Sequence, residues 1–432
     1  MPESILAFAD RLWNGEVSTL DVHPVHAALP EFREGEEIAA GLHWYKGLAT
    51  CNTIDSGDGL VMFDTGTRQD QQPLFESVRR WRAESPLVAA VYSHHHVDHI
   101  FGTAGFEAEA TEKAWVRPQV YAHARVAGHF DRYRKTRGWN TAINRRQFAI
   151  DVARFQWPGE YRYPDVTYHE RLTYSRGDLT FELHHGRGET DDATWLFVPE
   201  RKWLFPGDLV IWAVPNAGNP QKVQRYCGEW AAALRQMAAL KPEIMSAGHG
   251  FPLTGHDRIH ALLTDTAEFL ESLEEQVLTL MNTGSNLDRV LHEVEIPQRL
   301  LDKPYLRPVY DHPQFILRNI WRLYGGWYDN EPDNLLPAPR RQQAEEWVAL
   351  AGGIDRVLSR AAELGEAGDY RMACHLVEMA VIARPDASEA HRLRTRIYRS
   401  RSEQAVSSME RNILNHAAQA SEQGKRDLAG GW

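Results

Sequence analysis

Ser93-His94-His95-His96-Val97-Asp98-His99 decides the fold and the chemistry of this chain. The stretch has the spacing His-x-His-x-Asp-His and follows the apolar run Leu87–Tyr92, which has the length and β-branched content of a buried strand. A loop leaving a strand end can direct the first two histidines of the spacing toward one point, and Asp98 and His99 toward another. Imidazole and carboxylate groups are the ligands expected for zinc and other first-row divalent ions. The stretch therefore predicts a metal site.

The composition is that of an ordinary globular protein, with 43% hydrophobic and 25% charged residues in a chain of 432. This length suggests about two to three domains. The net charge of -11 argues against a nucleic-acid binder, which would usually be basic. No apolar run is long enough to span a bilayer. We therefore expect neither a nucleic-acid partner nor a membrane span.

The cysteines indicate a reducing environment. Cys51, Cys227 and Cys374 are far apart and odd in number, so they predict neither a disulfide framework nor a Cys-x-x-Cys pair. The start Met1–Ala7 lacks the basic and long apolar regions of a signal peptide. We predict a cytoplasmic protein.

Other short apolar runs also lead into acidic residues or histidines. Leu60–Phe63 is followed by Asp64, and Gln69–Ala83 then predicts an amphipathic helix before the histidine stretch. The order strand, helix, strand indicates a layered α/β sandwich. Further polar residues after predicted strands are His185, Glu189, Asp208 and His249.

These residues resemble the metallo-β-lactamase superfamily, whose signature is the His-x-His-x-Asp-His spacing. The resemblance implies an αββα sandwich and a two-metal centre. One metal would be held by His94 and His96 with a third ligand, the other by Asp98, His99 and His249, and Asp208 would bridge them. Asp64 matches an acidic residue that supports such a site, although simple turn chemistry is the alternative.

The third ligand points to one branch of the superfamily. Glu189-Thr190 stands where most members have a His-Thr pair, and a glutamate there is characteristic of the alkyl sulfatases. We therefore predict Glu189 as the ligand, with His185 as the alternative. The chain departs from that branch at Asp208, because alkyl sulfatases commonly have a glutamate at the bridging position.

Such a centre implies two zinc ions per subunit with a hydroxide between them, which would act as nucleophile or base near neutral pH. Asp208 and Asp98 are the predicted catalytic residues. A sulfate group would need additional cations, and the segment Asn216–Arg225 lies where the family places sulfate-contacting residues. Its candidates are Asn216, Lys222 and Arg225, with ordinary surface charge as the alternative.

Residues 106–178 are longer than the minimal hydrolase fold needs and predict an insertion. This range contains a basic and aromatic cluster that includes Arg145. In an acidic protein such a cluster could cover the active site and bind an anionic substrate. A solvated helix face is the other interpretation.

Helical spacing dominates after about His256. Tyr324–Pro332 resembles an alkyl sulfatase motif, and Ile354–Ala383 predicts two antiparallel helices similar to a tetratricopeptide pair. We predict a catalytic domain over 1–260 and an all-α dimerisation domain over 261–432, which implies a homodimer. Alkyl sulfatases often continue into a sterol-carrier-like domain. The sequence reaches Trp432 without one, which weakens the case for long-chain substrates.

The predicted function is that of a dinuclear zinc hydrolase acting on a small anionic ester, cleaving alkyl sulfates to alcohol and sulfate. One alternative is a metal-dependent hydrolase of a lactone, thioester or phosphate ester, because fold and metals are shared across many chemistries. The other is a non-catalytic dimeric scaffold.

Overall fold

Two β-sheets form the centre of the region that contains the histidine stretch. The computed structural model describes residues 3–26, 32, 34–149 and 155–430, and within them the strands form one seven-stranded and one six-stranded sheet. The first sheet contains β1 (Glu36–Ala39), β2 (Leu42–Lys46), β3 (Thr50–Asp55), β4 (Leu60–Phe63), β5 (Leu87–Val91), β6 (Gln119–His123) and β7 (Val166–Tyr168). The second contains β8 (Arg171–Arg176), β9 (Leu179–His185), β10 (Thr194–Val198), β11 (Trp203–Gly207), β12 (Ile244–Ala247) and β13 (Pro252–Thr254).

The strand order brings the ends of the central strands to one edge. The first sheet has the order β1 to β7, antiparallel as far as β4 and parallel from β4 to β7. The second has the order β13-β12-β11-β10-β9-β8, with β11 and β12 parallel. Phe63 of β4 and Phe205 of β11 have ring centroids 5.8 Å apart, so the sheets face each other.

Helices cover the sheets and build a separate helical region. They are α1 (Ile5–Trp13), α2 (Gln71–Trp81), α3 (Ala104–Glu112), α4 (Arg125–Lys135), α5 (Arg137–Phe148), α6 (Cys227–Ala239), α7 (His256–Asn282), α8 (Leu287–Glu293), α9 (Gln298–Leu301), α10 (Pro313–Gly325), α11 (Arg340–Leu350), α12 (Ile354–Glu366), α13 (Tyr370–Ala383), α14 (Ser388–Gln404) and α15 (Ser408–Glu422).

The core of the first sheet explains why these segments fold as they do. The β4 sequence is buried at every position, since it is a central strand covered on both faces. The spacing of Leu74 and Val78 puts both on the buried side of α2, where they join one apolar cluster with Met62, Ala90 and Phe106. The predicted αββα sandwich with a following helical region is confirmed.

The chain divides into two compact units whose bounds differ from the predicted domains. The first consists of Met1–Lys135, Pro158–Gly284 and Arg289–Tyr324, and the second of Thr136–Trp157, Ser285–Asp288 and Gly325–Trp432. The boundary predicted at residue 260 falls inside α7. This helix packs on α6, where Glu274 accepts a hydrogen bond from the Gly228 N–H at 3.1 Å.

The range 106–178 is not one insertion. It contains β6 and β7 of the first sheet and β8 of the second, and only Thr136–Trp157 belongs to the other unit. Its strands were missed because β7 has three residues, too few to show an alternating pattern, and because the range is rich in arginines and aromatic residues.

The second unit contains the predicted helix pair. Helices α12 and α13 pack together around Ala361, Ala373 and Val377, and the Asp369 side chain accepts from the Met372 N–H at 3.2 Å to cap α13. Among the helices that the structure describes, none has both the length and the apolar composition to cross a bilayer. The three cysteines are buried free thiols.

Candidate metal centre

The candidate ligands all follow strand ends. Four of them, His94, His96, Asp98 and His99, lie in the loop after β5. Each of the other three follows a different strand: Glu189 follows β9, Asp208 follows β11 and His249 follows β12. Backbone hydrogen bonds join these loops across the sheets, from Thr194 N to Ser93 O at 2.6 Å and from Thr50 N to Gly248 O at 2.8 Å. The sandwich therefore brings residues that are distant in sequence to one edge.

Two groups of donor atoms converge there. In His94, His96 and Asp208 one donor atom per residue lies within 4.8 Å of the others, and the same holds for Asp98, His99 and His249. Asp208 connects the groups, because its carboxylate oxygens lie 3.7 Å from His94 Nε2, 3.4 Å from His99 Nε2 and 3.5 Å from His249 Nε2. The bridging role that the resemblance implied for Asp208 stays a prediction.

Polar contacts on the far side of the ring orient three of the four candidate histidines. Asp64 accepts from His99 Nδ1 at 2.8 Å, and Ser93 Oγ lies 2.9 Å from His94 Nδ1. His249 Nδ1 lies 3.1 Å from the Val25 carbonyl and 3.0 Å from the Leu48 carbonyl, so it carries the proton. The Nε2 lone pairs are then free to face the cluster, as metal-binding histidines require.

The donor set fits metal ions. His94 Nε2, His99 Nε2 and Asp208 Oδ1 are buried without a hydrogen-bond partner in the described chain, which is costly unless another group satisfies them. Although burial alone would raise the pKa of Asp208, the positive charges that His99 and His249 carry when their Nε2 atoms are protonated, as in the metal-free chain, hold this pKa well below its usual range. A cluster of imidazoles and anionic carboxylates with unpaired inward-facing atoms matches the ligand chemistry of first-row divalent cations.

Glu189 is buried beside this cluster. Its Oε1 atom lies 3.7 Å from His96 Nδ1 and accepts hydrogen bonds from Asn216 Nδ2 and from Arg225 Nη1, the latter at 2.8 Å. Burial, together with the Asp208 carboxylate, raises the pKa of Glu189 to about 7 although Arg225 opposes the rise. The predicted substrate residues Asn216 and Arg225 thus contact a candidate ligand.

His185, the alternative to Glu189, points elsewhere. Its Nε2 atom lies 3.1 Å from the Asp191 carbonyl, and its ring stacks on His123 with centroids 4.0 Å apart. The geometry therefore favours Glu189 over His185.

The remaining predicted substrate residues have different surroundings. Burial, together with the positive charge of Arg225, lowers the pKa of Lys222 to about 7, and Glu189 and Asp98 are close enough to oppose the shift. Lys222 therefore lies in the same charged environment as the cluster. Arg145 belongs to the second unit, where its Nη2 donates to the Phe155 carbonyl at 2.8 Å.

The glycines next to His249 are required by space. A Cβ on Gly248 would lie 2.3 Å from Asp208 Oδ1 and 2.5 Å from the Gly207 carbonyl carbon. Gly250 has a φ of +101°, which favours glycine. The Gly-His-Gly sequence therefore allows His249 and Asp208 to approach each other.

Sequence reasoning missed a second polar layer around His95. This histidine does not face the proposed ligands; its Nδ1 donates to Asp192 at 2.9 Å while Arg132 Nη2 lies 3.1 Å from its Nε2. Asp192 also accepts from the His95 backbone N–H at 3.2 Å, which fixes the middle of the histidine loop. The signal in the sequence was the pair of aspartates Asp191-Asp192, directly after Glu189-Thr190.

The chain matches known families over most of its length. The family model of the metallo-beta-lactamase superfamily matches residues 45–249, and that of alkyl sulfatase dimerisation matches residues 286–424. A linear primary-alkylsulfatase from Pseudomonas sp. is 25% identical over 363 residues, covering 80% of this chain and 69% of that enzyme. An (R)-specific secondary-alkylsulfatase from Pseudomonas sp. is 30% identical over 386 residues, covering 83% of this chain and 58% of that enzyme.

A solved structure gives the same picture. The stereoselective inverting sec-alkylsulfatase Pisa1 from Pseudomonas sp. aligns with a TM-score of 0.79 at 25% identity, over 90% of this chain and 66% of that one. The chain thus spans between 58% and 69% of the length of these relatives. From the two family matches and the sandwich with its histidine loop, the chain belongs to the metallo-β-lactamase superfamily, in the group whose sandwich is followed by an alkyl sulfatase dimerisation domain.

Proposed function

We propose that this chain is a metal-dependent sulfuric ester hydrolase that cleaves alkyl sulfates to alcohol and sulfate at a dinuclear zinc centre. The observation that carries the proposal is the convergence of Asp208 with both donor groups. Two relatives that align with four fifths of the chain are alkylsulfatases, which supports the same reaction class here.

We assign the ligands as the sequence predicted them. One zinc ion would be held by His94, His96 and Glu189, the other by Asp98, His99 and His249, with Asp208 between them. Zinc in such a centre supplies a water molecule acidic enough to react near neutral pH, and it stabilises negative charge on the leaving oxygen.

The neighbouring residues divide into positioning and substrate roles. Arg225 is 1% exposed and donates to Glu189, so we assign it to holding this carboxylate anionic and in place. Asn216 contacts the same oxygen. We assign the sulfate contact to Lys222, since its ammonium lies near the cluster on a flexible stem. A role for Arg145 in substrate binding remains a prediction.

We further propose a homodimer formed through the helical region, because residues 286–424 match the alkyl sulfatase dimerisation family. The three buried free thiols support the predicted cytoplasmic location.

Sulfate release from a panel of alkyl sulfates tests the proposal. The panel should vary chain length and include primary and secondary esters, with zinc-loaded protein and Asp208→Asn as the matched variant. We expect release of sulfate by the wild-type protein and loss of at least a hundredfold in activity in the variant.

Other outcomes would replace the proposal. Full zinc loading without sulfate release would favour another ester, which lactone, thioester and phosphate ester substrates would identify. A protein that binds no metal, and whose stability does not change with a chelator, would favour the non-catalytic scaffold.

A further inference from the structure

The second unit contains a cavity that the proposed hydrolysis does not use. It has a volume of about 590 Å³ and is lined by α5, α11, α13, α14, α15 and the segment after α15. This volume is in the range of small-molecule binding sites. Six of the lining residues are arginines: Arg146, Arg340, Arg371, Arg394, Arg401 and Arg426.

The charge of this cavity is opposite to that of the whole chain. The lining itself holds the carboxylates Glu378 and Asp427, and Glu410 pairs with Arg401 at 3.1 Å, so the six arginines minus these three carboxylates leave an excess of three positive charges, in a chain with a net charge of -11. Like charges gathered at one cavity repel each other unless an anion compensates them. The composition of the lining therefore points to an anionic ligand.

The inner wall is a fixed network. Glu378 accepts from Arg394, from Arg426 at 3.0 Å and from the Tyr398 hydroxyl at 2.8 Å. Arg394 is 3% exposed and also donates to the Ala417 carbonyl at 2.6 Å. Because their positions are set before any ligand arrives, these cations would bind an anion with little loss of side-chain entropy.

A second ion pair fixes the adjoining wall. Arg146 donates to both oxygens of Asp427, at 3.1 and 2.6 Å, and His416 Nε2 donates to the same carboxylate at 2.8 Å. Both carboxylates of the lining are thus already engaged by arginines, and Arg401 donates to Glu410 outside the lining at 3.1 Å.

Two arginines remain at the outer part of the cavity. Arg340 and Arg371 are exposed, and in the described part of the chain neither forms an ion pair or a side-chain hydrogen bond. A planar guanidinium presents paired N–H donors that match the geometry of a phosphate group. Trp139, which is 61% exposed, adds an aromatic surface to the same lining.

We propose that this cavity binds a small organic compound with two or more linked phosphate groups and an aromatic ring, of the kind represented by a nucleoside diphosphate. A nucleoside diphosphate carries about three negative charges near neutral pH, because its inner phosphate has one ionisable oxygen and its terminal phosphate has two. This charge matches the excess of three positive charges in the lining, and the ring can stack on Trp139 or on an arginine. The inference is independent of the proposed hydrolysis, whose residues lie in the first unit.

Isothermal titration calorimetry on the full-length zinc-loaded protein tests the proposal with ADP, pyrophosphate and adenosine as probes. We expect ADP to bind once per chain, pyrophosphate to bind at the same site, and adenosine to bind at least a hundredfold more weakly. The double variant Arg340→Gln, Arg371→Gln should weaken ADP binding at least tenfold. Both residues are exposed and without ion pairs, so the variant should fold.

Two control variants make the result specific. Arg396→Gln removes an exposed arginine of α14 outside the cavity lining and should leave the ADP affinity within twofold of the wild type. Asp208→Asn alters the candidate metal centre and should also leave it unchanged.

Four results would overturn the proposal. They are the absence of ADP and pyrophosphate binding at millimolar concentration, an equal loss of affinity in Arg396→Gln, a loss of binding in Asp208→Asn, and adenosine binding as tight as that of ADP. None of them bears on whether the protein releases sulfate from alkyl sulfates, so the two proposals fail separately.

Discussion

The Nδ1–H of His99 donates to the Asp64 carboxylate across 2.8 Å, and both side chains are completely buried. Asp64 uses its other oxygen to accept from the Ser93 backbone N–H at 2.7 Å. One carboxylate therefore fixes both the ring of His99 and the start of the histidine loop. Its position at the end of β4 gives it this reach, because β4 and β5 are parallel neighbours.

Asp64→Asn should weaken zinc binding without disturbing the backbone. Asp64 has a φ of 59°, a conformation that asparagine tolerates well, so the exchange removes the charge and keeps the turn. Loss of such a supporting carboxylate typically lowers metal affinity by about 10- to 100-fold. Competition with a chromogenic chelator measures this. Asp58→Asn, in the exposed turn before β4, is the matched control, and equal affinities of the two variants would contradict the role of Asp64.

Glu189→Gln should lower zinc content, whereas His185→Asn should not. Glu189 lies beside His96, while His185 is engaged with the Asp191 carbonyl and the His123 ring. Elemental analysis of protein reconstituted with excess zinc and then desalted gives the number of ions per chain. We expect close to two zinc ions per chain for His185→Asn and about one for Glu189→Gln, because the zinc ion that loses one of its ligands is held weakly. The reverse pattern would make His185 the ligand.

The central strands and the candidate ligands were predictable because each combines two local signals. An apolar run such as Leu60–Phe63 marks a buried strand, and the polar residue after it marks the strand end. Asp208 and His249 also follow such runs, and the resemblance to the superfamily singled them out as candidate ligands. Once parallel strands are inferred, their ends must meet at one edge.

Other parts of the site had no signal of this kind. The carbonyl groups of Val25 and Leu48 orient His249, and any residue could supply them. The involvement of Arg225 with Glu189 depends on a turn between β11 and α6 whose path the sequence does not specify. The division of the helical part was also unpredictable, because α7 has the same amphipathic pattern whether it packs on a sheet or in a bundle.

Arg225→Met should destabilise the metal-free protein more than the zinc-loaded protein. Removing one partner of a buried ion pair leaves the other charge uncompensated, which typically costs about 3–5 kcal/mol. Zinc would supply a new partner for Glu189 and reduce this cost. The change in the unfolding midpoint, measured by calorimetry with and without a chelator, gives the destabilisation of the metal-free and of the zinc-loaded protein. Arg187→Met interrupts a partly exposed pair with Glu229 and should cost at most about 1 kcal/mol in either state.

Gly248→Ala should impair metal binding even though it changes no ligand. The added Cβ would lie 2.3 Å from Asp208 Oδ1, closer than such atoms can approach, so Asp208 has to move. We expect a loss of zinc affinity of about tenfold or more, similar to that of other changes that misplace a ligand. Gly128→Ala is the matched control, since a Cβ there meets no atom within 4 Å. Unchanged affinity in Gly248→Ala would mean that Asp208 does not need its present position.

Asp427→Asn should destabilise the helical unit at neutral pH, and should destabilise it less as the pH falls below about 4. Although burial opposes it, hydrogen bonds from His416 and Arg146 hold the pKa of Asp427 below its usual range. A carboxyl whose pKa is lower in the folded than in the unfolded protein stabilises the fold above its unfolded pKa of about 3.9, and this contribution disappears as pH falls toward the folded value. Hydrogen bonds to a charged group of this kind contribute about 2 kcal/mol. The difference in unfolding midpoint between wild type and variant, measured from pH 7 to pH 3, should therefore be constant above about pH 5 and shrink below about pH 4.

Asp386→Asn, at an exposed position before α14, should give no difference at any pH. A difference for Asp427→Asn that persists unchanged at pH 3 would show that the side chain stabilises the unit through packing and not through its charge.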